Sequence, residues 1–411
     1  MMKTRIYSLF TGLLLVAGYS FAQEQIEPWQ EGWMDIHTIA TGCGECTFII
    51  FPDGTTMLID AGDVTNNTKE HPYPNFMDDP DRTVGERQAE YILDFSEGLP
   101  HPDRLDYFLL THFHKDHMGQ AKGMLPGPNG YGLSGISQLG EYMRFDTFVD
   151  RGWPDYDNPS KEKVESFNPG FMPEYRRFLQ YHIDVKGSTV EQFRIGDRRQ
   201  FVLKNQPDRY DFQIWNVAAS GMIDDGSGGI SSMYPDDADE EMFDENTNSC
   251  VIVLRYGHFK YYNGGDVCGR AVTTGNRRKI DCESQIADLC GQMTVVKADH
   301  HGYKDSCNPY FLWKTKPQVV VIPAFGAPHP WIDTLRRLSD PHYKIKGIYA
   351  TTPSAEEICK EEMKHITSIG HIVVRVYEGG EKWQVFTLDR KEKGYKVLHM
   401  TEVMTTLKIN G

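Results

Sequence analysis

Beyond its first two dozen residues, the 411-residue chain has no apolar run long enough to cross a bilayer. No membrane span is expected in that part. Internal repeats and low-complexity linkers are also missing, which leaves one large domain with insertions, or one domain plus a small cap. Positive charge is scarce: 43 Lys and Arg stand against 58 Asp and Glu, a formal net charge of -15. A surface of that sign repels polyanions and disfavours tight binding to long nucleic acid. Cysteine is sparse too, with eight in the chain.

The start of the chain reads as a removable segment. Lys3 and Arg5 precede an apolar stretch, Ile6 to Ala17, and Ser20-Phe21-Ala22 offers small residues at the two positions read by a signal peptidase. The apolar core is too short to span a membrane, so residues 1–22 are expected to be a secretory signal with cleavage after Ala22. No cysteine follows that point, which argues against a lipid anchor. Residues 23–411 then form an exported chain, periplasmic or secreted. Its charge is -17, because Lys3 and Arg5 leave with the signal. In an oxidising compartment an even cysteine count predicts one or two disulfides, with a pairing that spacing does not reveal.

What the chain does have is His112-Phe113-His114-Lys115-Asp116-His117. Four metal-competent side chains fall within six residues, directly after Leu105 to Leu110, a short apolar and aromatic strand signal. Ligands on a loop leaving a strand converge without strain. Imidazole with carboxylate suits zinc, manganese or iron. Two histidines one residue apart can hold one ion, and the Asp-His pair can hold a second. Paired ions of this kind serve hydrolysis.

Other strand ends carry acidic or imidazole groups as well. Thr47 to Phe51, a Pro52-Asp53-Gly54 turn and Thr56 to Ile59 read as a hairpin ending in Asp60. Val84 to Phe95 has the spacing of an amphipathic helix. Ser249 to Tyr256 and His258 to Asn263 form a second hairpin that runs into Gly264-Gly265-Asp266. Thr294 to Ala298 is a strand ending in Asp299-His300-His301-Gly302. Gln318 to Pro323 is another, followed by Gly326-Ala327-Pro328-His329-Pro330 and a helix near Trp331 to Leu338. His371 to Tyr377 and Trp383 to Leu388 close the chain as a hairpin. Cys43-Gly44-Glu45-Cys46 precedes a strand rather than a helix, so it reads as a tight turn and not a redox motif. The acidic run Asp236 to Glu241, continuing to Asp244-Glu245, reads as a solvated loop.

In order and kind, these motifs resemble the metallo-β-lactamase superfamily. The resemblance implies an α/β fold of the αββα type, two mixed sheets face to face with helices outside and metals at one edge. It implies His112, His114, Asp116, His117, Asp266 and one or both of His300 and His301 as metal ligands. Asp60 would support them from behind. One or two zinc ions are expected, with manganese or iron as alternatives. The superfamily's third motif, a histidine, is not present, and Asn248 stands at about its place. Water, a histidine of the doublet or an acidic side chain from the long insertion would then complete one ion.

A narrower resemblance joins Gly42 to Cys46, Asn248-Ser249, Gly264 to Asp266, His300 to Gly302 with Ser306, and Gly326 to Pro330. These segments are similar to the hydrolase domain of bacterial competence DNA-uptake channel proteins and to a pneumococcal cell-wall phosphorylcholine esterase. That resemblance implies phosphodiester chemistry on a small-molecule or cell-envelope substrate. A water activated by metal would attack, Asp116 or Asp266 would orient it, and His301 or His329 would protonate the leaving oxygen. The insertion, about residues 120–245, is expected to cap the site. Arg176, Arg177 and Arg194 could meet an anionic group there. For most of these residues the plainer reading is taken, a solvated helix face for the arginines and a small core for the insertion's aromatics, with a few expected to wall the substrate cleft. Two other readings stand beside the phosphodiesterase. One is a carboxylic ester, lactone or amide hydrolase on the same centre. The other is a binding protein on this fold that has lost catalysis with the missing histidine.

Overall fold

The computed structural model describes residues 25–407, apart from 65–66, 69–70, 73–81, 239–243, 275–276, 327–328, 354–359 and 392. The expected signal segment lies outside the described residues, as do Cys359, Ala327 and Pro328. No helix among the described residues is long and apolar enough to cross a membrane.

Two large mixed sheets dominate. The first runs Thr189–Gln192, Arg144–Asp150, Arg104–Leu109, Thr56–Ile59, Thr47–Ile50, Met34–Thr38, His371–Val376, Lys382–Leu388 and Val397–Met400, with Met404–Thr405 also pairing on Lys382–Leu388. The second runs Ile230–Ser232, Met222–Asp224, Phe212–Ala219, Val251–Tyr256, Phe259–Asn263, Val295–Lys297, Val319–Ile322, Gly347–Ala350 and Ser368–Ile369. Alternation along the strands dictates how they stack. Ile49, Met57, Ile59, Tyr107 and Leu109 of the first sheet share one apolar cluster with Ile252, Leu254, Tyr261, Val295 and Val319 of the second. The residues between them in sequence, Phe48, Ile50, Leu58 and Phe108, point the other way. They pack on Ala89, Ile92, Ile136 and Leu139 of outer helices. Val251, Val253, Tyr262, Val296 and Val320 face Ile286, Phe311, Leu312 and Leu335 on the far side. Strands buried on both faces need apolar residues at every position, and these have them. The result is the αββα sandwich.

Local signals set the boundaries. The helix Val84–Ser96 begins at a capping box: Thr83 Oγ1 accepts from Glu86 N, and Glu86 Oε2 accepts from Thr83 N, both at 3.3 Å. Asp53-Gly54 closes the first hairpin with Gly54 at φ 80°, and Phe51 N donates to Thr55 O at 2.8 Å. Within residues 120–245, Arg144–Asp150 and Phe212–Ala219 are strands inside the two sheets, so that part of the expected cap is framework. Phe145, Phe148, Tyr156, Phe171, Tyr175 and Phe178 are buried in the core beside the first sheet. None of the seven described cysteines is in a disulfide; all are buried thiols packed in the core. The expectation of disulfides is not met among them. A chain of this size stabilises itself by apolar burial and has no need of cross-links.

Candidate metal centre

Four strand ends of the two sheets meet at one edge. Asp60 follows Thr56–Ile59, the His112 motif follows Arg104–Leu109, Asp266 follows Phe259–Asn263, and His301 follows Val295–Lys297. Asp60 holds a left-handed backbone, φ 59°, and there its carboxylate serves the next strand end. Its Oδ1 accepts from Thr111 N at 2.8 Å. Its Oδ2 lies 2.7 Å from both Thr111 Oγ1 and His117 Nδ1. His117 is thereby fixed with Nε2 inward, 3.2 Å from Asp266 Oδ2 and 3.2 Å from His301 Nε2. His301 is oriented in the same manner, since Pro323 O accepts from its Nδ1 at 3.0 Å. Its Nε2 then stands 3.3 Å from Asp266 Oδ2 and 3.4 Å from Asp116 Oδ2.

The neighbouring pair is His112 and His114. Their ring nitrogens, Nε2 and Nδ1, are 3.1 Å apart, and His112 Nε2 is 3.9 Å from Asp266 Oδ2. Asp266 thus stands between both groups of histidines. Its amide is pinned by Ser249 Oγ at 3.1 Å, while its buried Oδ1 makes no hydrogen bond. The backbone of the loop is clamped from below. Glu45 N donates to Asp116 O at 2.8 Å, and a Cβ at Gly44 or Gly62 would collide with that carbonyl. These two glycines are required by close approach.

Glu45, His117, Asp266 and His301 offer donor atoms that all lie within 4.8 Å of one another, and all four side chains are buried. This chemistry fits a divalent cation. Two imidazoles are aimed inward by their own partners. Carboxylate oxygens face them with unsatisfied lone pairs. The charge balance says the same. Burial alone would lower the pKa of His117 and His301, yet the surrounding carboxylates overcome it. Asp266 and Asp60 raise His117 well above the ordinary histidine range, and Asp266 with Asp116 brings His301 up to about 9. Burial would raise Asp116 and Asp266, but the facing histidines hold both well below the usual carboxylate range. His112, desolvated and beside His117, is pushed well down. The cluster draws in positive charge, and a cation would replace protons there.

Sequence reasoning missed Lys297, the last residue of Val295–Lys297. Its ammonium is fully buried, 2.8 Å from Glu45 Oε2 and 3.6 Å from Asp266 Oδ1, and it donates to Gly265 O. Burial raises the Glu45 pKa against the opposing pull of Lys297. A lysine inside an otherwise apolar strand was the available signal, since a buried charge demands a partner. Glu245 was misread as part of a solvated loop. It is buried, accepts from Phe113 N at 2.7 Å and from Arg151 Nε at 3.0 Å, and so props the His112 loop from the insertion side.

His300 is not with His301: its Nδ1 lies 2.7 Å from Asp305 Oδ1. His329 packs against His301, with ring centroids 5.0 Å apart, and its Nδ1 makes no hydrogen bond. Burial and the two neighbouring histidines push its pKa well down. Asn248 ends a short turn ahead of Val251–Tyr256. Its side-chain amide is buried and makes no hydrogen bond among the described residues, His112 and His114 included. Arg176, Arg177 and Arg194 are paired with Glu165, Glu174 and Glu191 at the surface.

No protein-family model matches the chain, and no curated protein matches it. Among solved structures it is similar to CmlA, a diiron β-hydroxylase from Streptomyces venezuelae, at 13% identity and a TM-score of 0.38 over 85% of this chain and 55% of that one. It is also similar to Zn2+-bound PqqB from Methylobacterium extorquens, at 12% identity and a TM-score of 0.36 over 83% of this chain and 99% of that one. The chain spans about half the length of the hydroxylase. At these values neither likeness assigns chemistry to the chain.

Proposed function

We propose that this chain is an exported, metal-dependent hydrolase of the metallo-β-lactamase superfamily, acting on a phosphodiester of small-molecule or cell-envelope origin. The observation that carries the reading is the convergence of His117, His301, Asp266 and Asp116 at one strand edge, with Asp60 and Pro323 O each aiming a histidine inward. Superfamily membership and the phosphodiester preference rest on the motifs and their order. Export rests on residues 1–22.

His117, His301, Asp116, Asp266 and Glu45 would hold one ion, and His112, His114 and Asp266 would hold the other. Zinc suits the donors, and manganese or iron would also be accepted. When bound, such an ion supplies Lewis acidity and lowers the pKa of water from 15.7 toward about 7. The chain's own residues do the rest. Asp60 keeps His117 in the tautomer whose Nε2 lone pair faces inward. Asp116, the most exposed of the clustered carboxylates at 19% of its side chain, is placed to orient an attacking water. Lys297 holds Glu45 and Asp266 in place from the buried side. His329, neutral beside His301, is positioned to bond an oxygen of the substrate.

A second reading is favoured by Asn248: a weak ligand at the place of a histidine leaves one ion under-held, as in a binding protein on this fold. Metal content of the purified chain, with hydrolysis of bis-p-nitrophenyl phosphate, p-nitrophenyl phosphorylcholine and nitrocefin, separates the readings. The hydrolase predicts bound transition metal and phosphodiester turnover that falls by several orders of magnitude in Asp266→Ala. Bound metal without turnover of any ester would leave only the binding protein.

A further inference from the structure

Two successive left-handed residues, His300 at φ 45° and His301 at φ 54°, divide the histidine doublet. Such backbone is costly for residues with a Cβ, so the division is imposed by the packing around it. His301 turns to Asp266 and Asp116. His300 turns to Asp305, with Nδ1 2.7 Å from Oδ1, and the other carboxylate oxygen of Asp305 stands 3.7 Å from Cys268 Sγ. Cys268, His300 and Asp305 each offer a ligand atom, and these atoms lie within 4.8 Å of one another. Cys268 and Asp305 are buried, and His300 keeps 17% of its side chain exposed.

We propose that Cys268, His300 and Asp305 form a separate cation site for zinc or an ion of similar softness, with solvent as the remaining ligand beside His300. Thiolate, imidazole and carboxylate are the three donor types zinc takes. One thiolate and one carboxylate neutralise a divalent ion. Ligand atoms of a tetrahedral zinc stand about 3.3–3.8 Å apart at bond lengths of ~2.0–2.3 Å, and the sulfur–oxygen separation already lies there. Binding releases the Cys268 thiol proton to solvent. The His300 ring proton leaves Nδ1 for Nε2, so the imidazole stays neutral.

The surroundings accommodate that change of tautomer. His300 Nε2 lies 3.2 Å from Asn246 Nδ2, so it accepts while Nδ1 donates to Asp305. Asn246 Oδ1 is buried with no hydrogen bond. Turning the amide over lets Oδ1 accept the Nε2 proton, which satisfies the orphan oxygen and orients the ring for an ion. None of these donors belongs to the Glu45, His117, Asp266 and His301 group, and that group has no sulfur. A thiolate band therefore reports the Cys268 site and not the other.

The test is cobalt titration of the full chain after chelator treatment, reading the near-ultraviolet thiolate-to-cobalt charge-transfer band and cobalt bound per chain. The wild type is expected to show the band. Cys268→Ser should lose it and bind one cobalt fewer, Cys290→Ser should keep it, and Asp305→Asn should weaken the site at least tenfold. Absence of the band at saturating cobalt in the wild type overturns the site. So does a Cys268→Ser protein with wild-type band or stoichiometry, or loss of the band in Cys290→Ser as well. Should Cys268→Ser lose its circular dichroism, Asp305→Asn decides: unchanged band and affinity would refute the proposal.

Discussion

Replacing Asp60 by Asn is the sharpest perturbation of the centre, because it alters a proton and little else. In the wild type, Oδ1 accepts from Thr111 N at 2.8 Å, and Oδ2 accepts from Thr111 Oγ1 and faces His117 Nδ1, each at 2.7 Å. Asparagine keeps an oxygen for the Thr111 amide but sets an NH2 group against His117. His117 Nδ1 must then accept from it, so the ring proton moves to Nε2, the atom 3.2 Å from both Asp266 Oδ2 and His301 Nε2. An Nε2–H cannot ligate. Loss of a carboxylate behind a metal-binding histidine costs about 10–100-fold in affinity, or about 1.4–2.7 kcal/mol. The assay is competition for zinc against a chromophoric chelator, run beside thermal melting of the metal-free chains. The expected result is a Kd raised by about that factor, with the metal-free chain still melting cooperatively but at a lower temperature, since protonated His117 loses a buried carboxylate partner. A Kd within twofold of wild type would refute the claim that Asp60 sets the tautomer of His117.

Two further outcomes concern stability. Lys297→Met strands Glu45 without its cation in a fully buried position, and urea unfolding should show a loss of about 3–5 kcal/mol, partly restored by adding Glu45→Gln; a loss no larger in the single variant than in the double would sink the pairing. His182 is buried among Phe145, Phe148 and Phe178, neither ring nitrogen makes a hydrogen bond, and burial lowers its pKa to about 4. The unfolded chain takes a proton there near pH 6.5 while the folded chain stays neutral. The stability it contributes is thus fully present above pH 6.5 and is lost as pH falls toward about 4, roughly 2 kcal/mol of it by pH 5. His182→Leu should reduce the drop in unfolding free energy between pH 7 and pH 5 by about that amount, and an identical drop in both proteins would contradict it.

The fold was legible because the central strands of both sheets are buried on both faces. Runs such as Thr47 to Phe51 and Ser249 to Tyr256 are apolar nearly throughout, and each appears as a strand within a residue or two of its expected ends. The strand-end placement of Asp60, His117, Asp266 and His301 was legible as well, because each directly follows an apolar run that reads as a strand. What escaped was long-range pairing. Nothing local marks Glu245 as the partner of Arg151, since they are far apart in sequence and an acidic run is usually solvated. Nor does local pattern say that His300 departs from His301: that depends on two positive φ angles set by packing. Cys268 and Asp305 carry no signal at all until the backbone brings them together.

Left-handed backbone and buried charge meet at this edge. Asp60, His300 and His301 all hold left-handed backbone, and Lys297, Glu45 and Asp266 are charges buried within the same edge. Each feature is destabilising alone, and the two packed sheets over-determine them: Thr111 and His117 hold Asp60, Pro323 holds His301, and Asp305 holds His300. Removing the cation from such an edge leaves carboxylates facing one another, and the histidines can answer only by taking up protons. A bound divalent ion should therefore stabilise the fold as well as equip the site, because ligands that bind only the folded state raise its stability in proportion to RT ln(1 + [L]/Kd). The same argument explains why Lys297 is buried there. It is a permanent positive charge at the back of the edge, 2.8 Å from Glu45 and 3.6 Å from Asp266, and its pull opposes the cost of burying the Glu45 carboxylate.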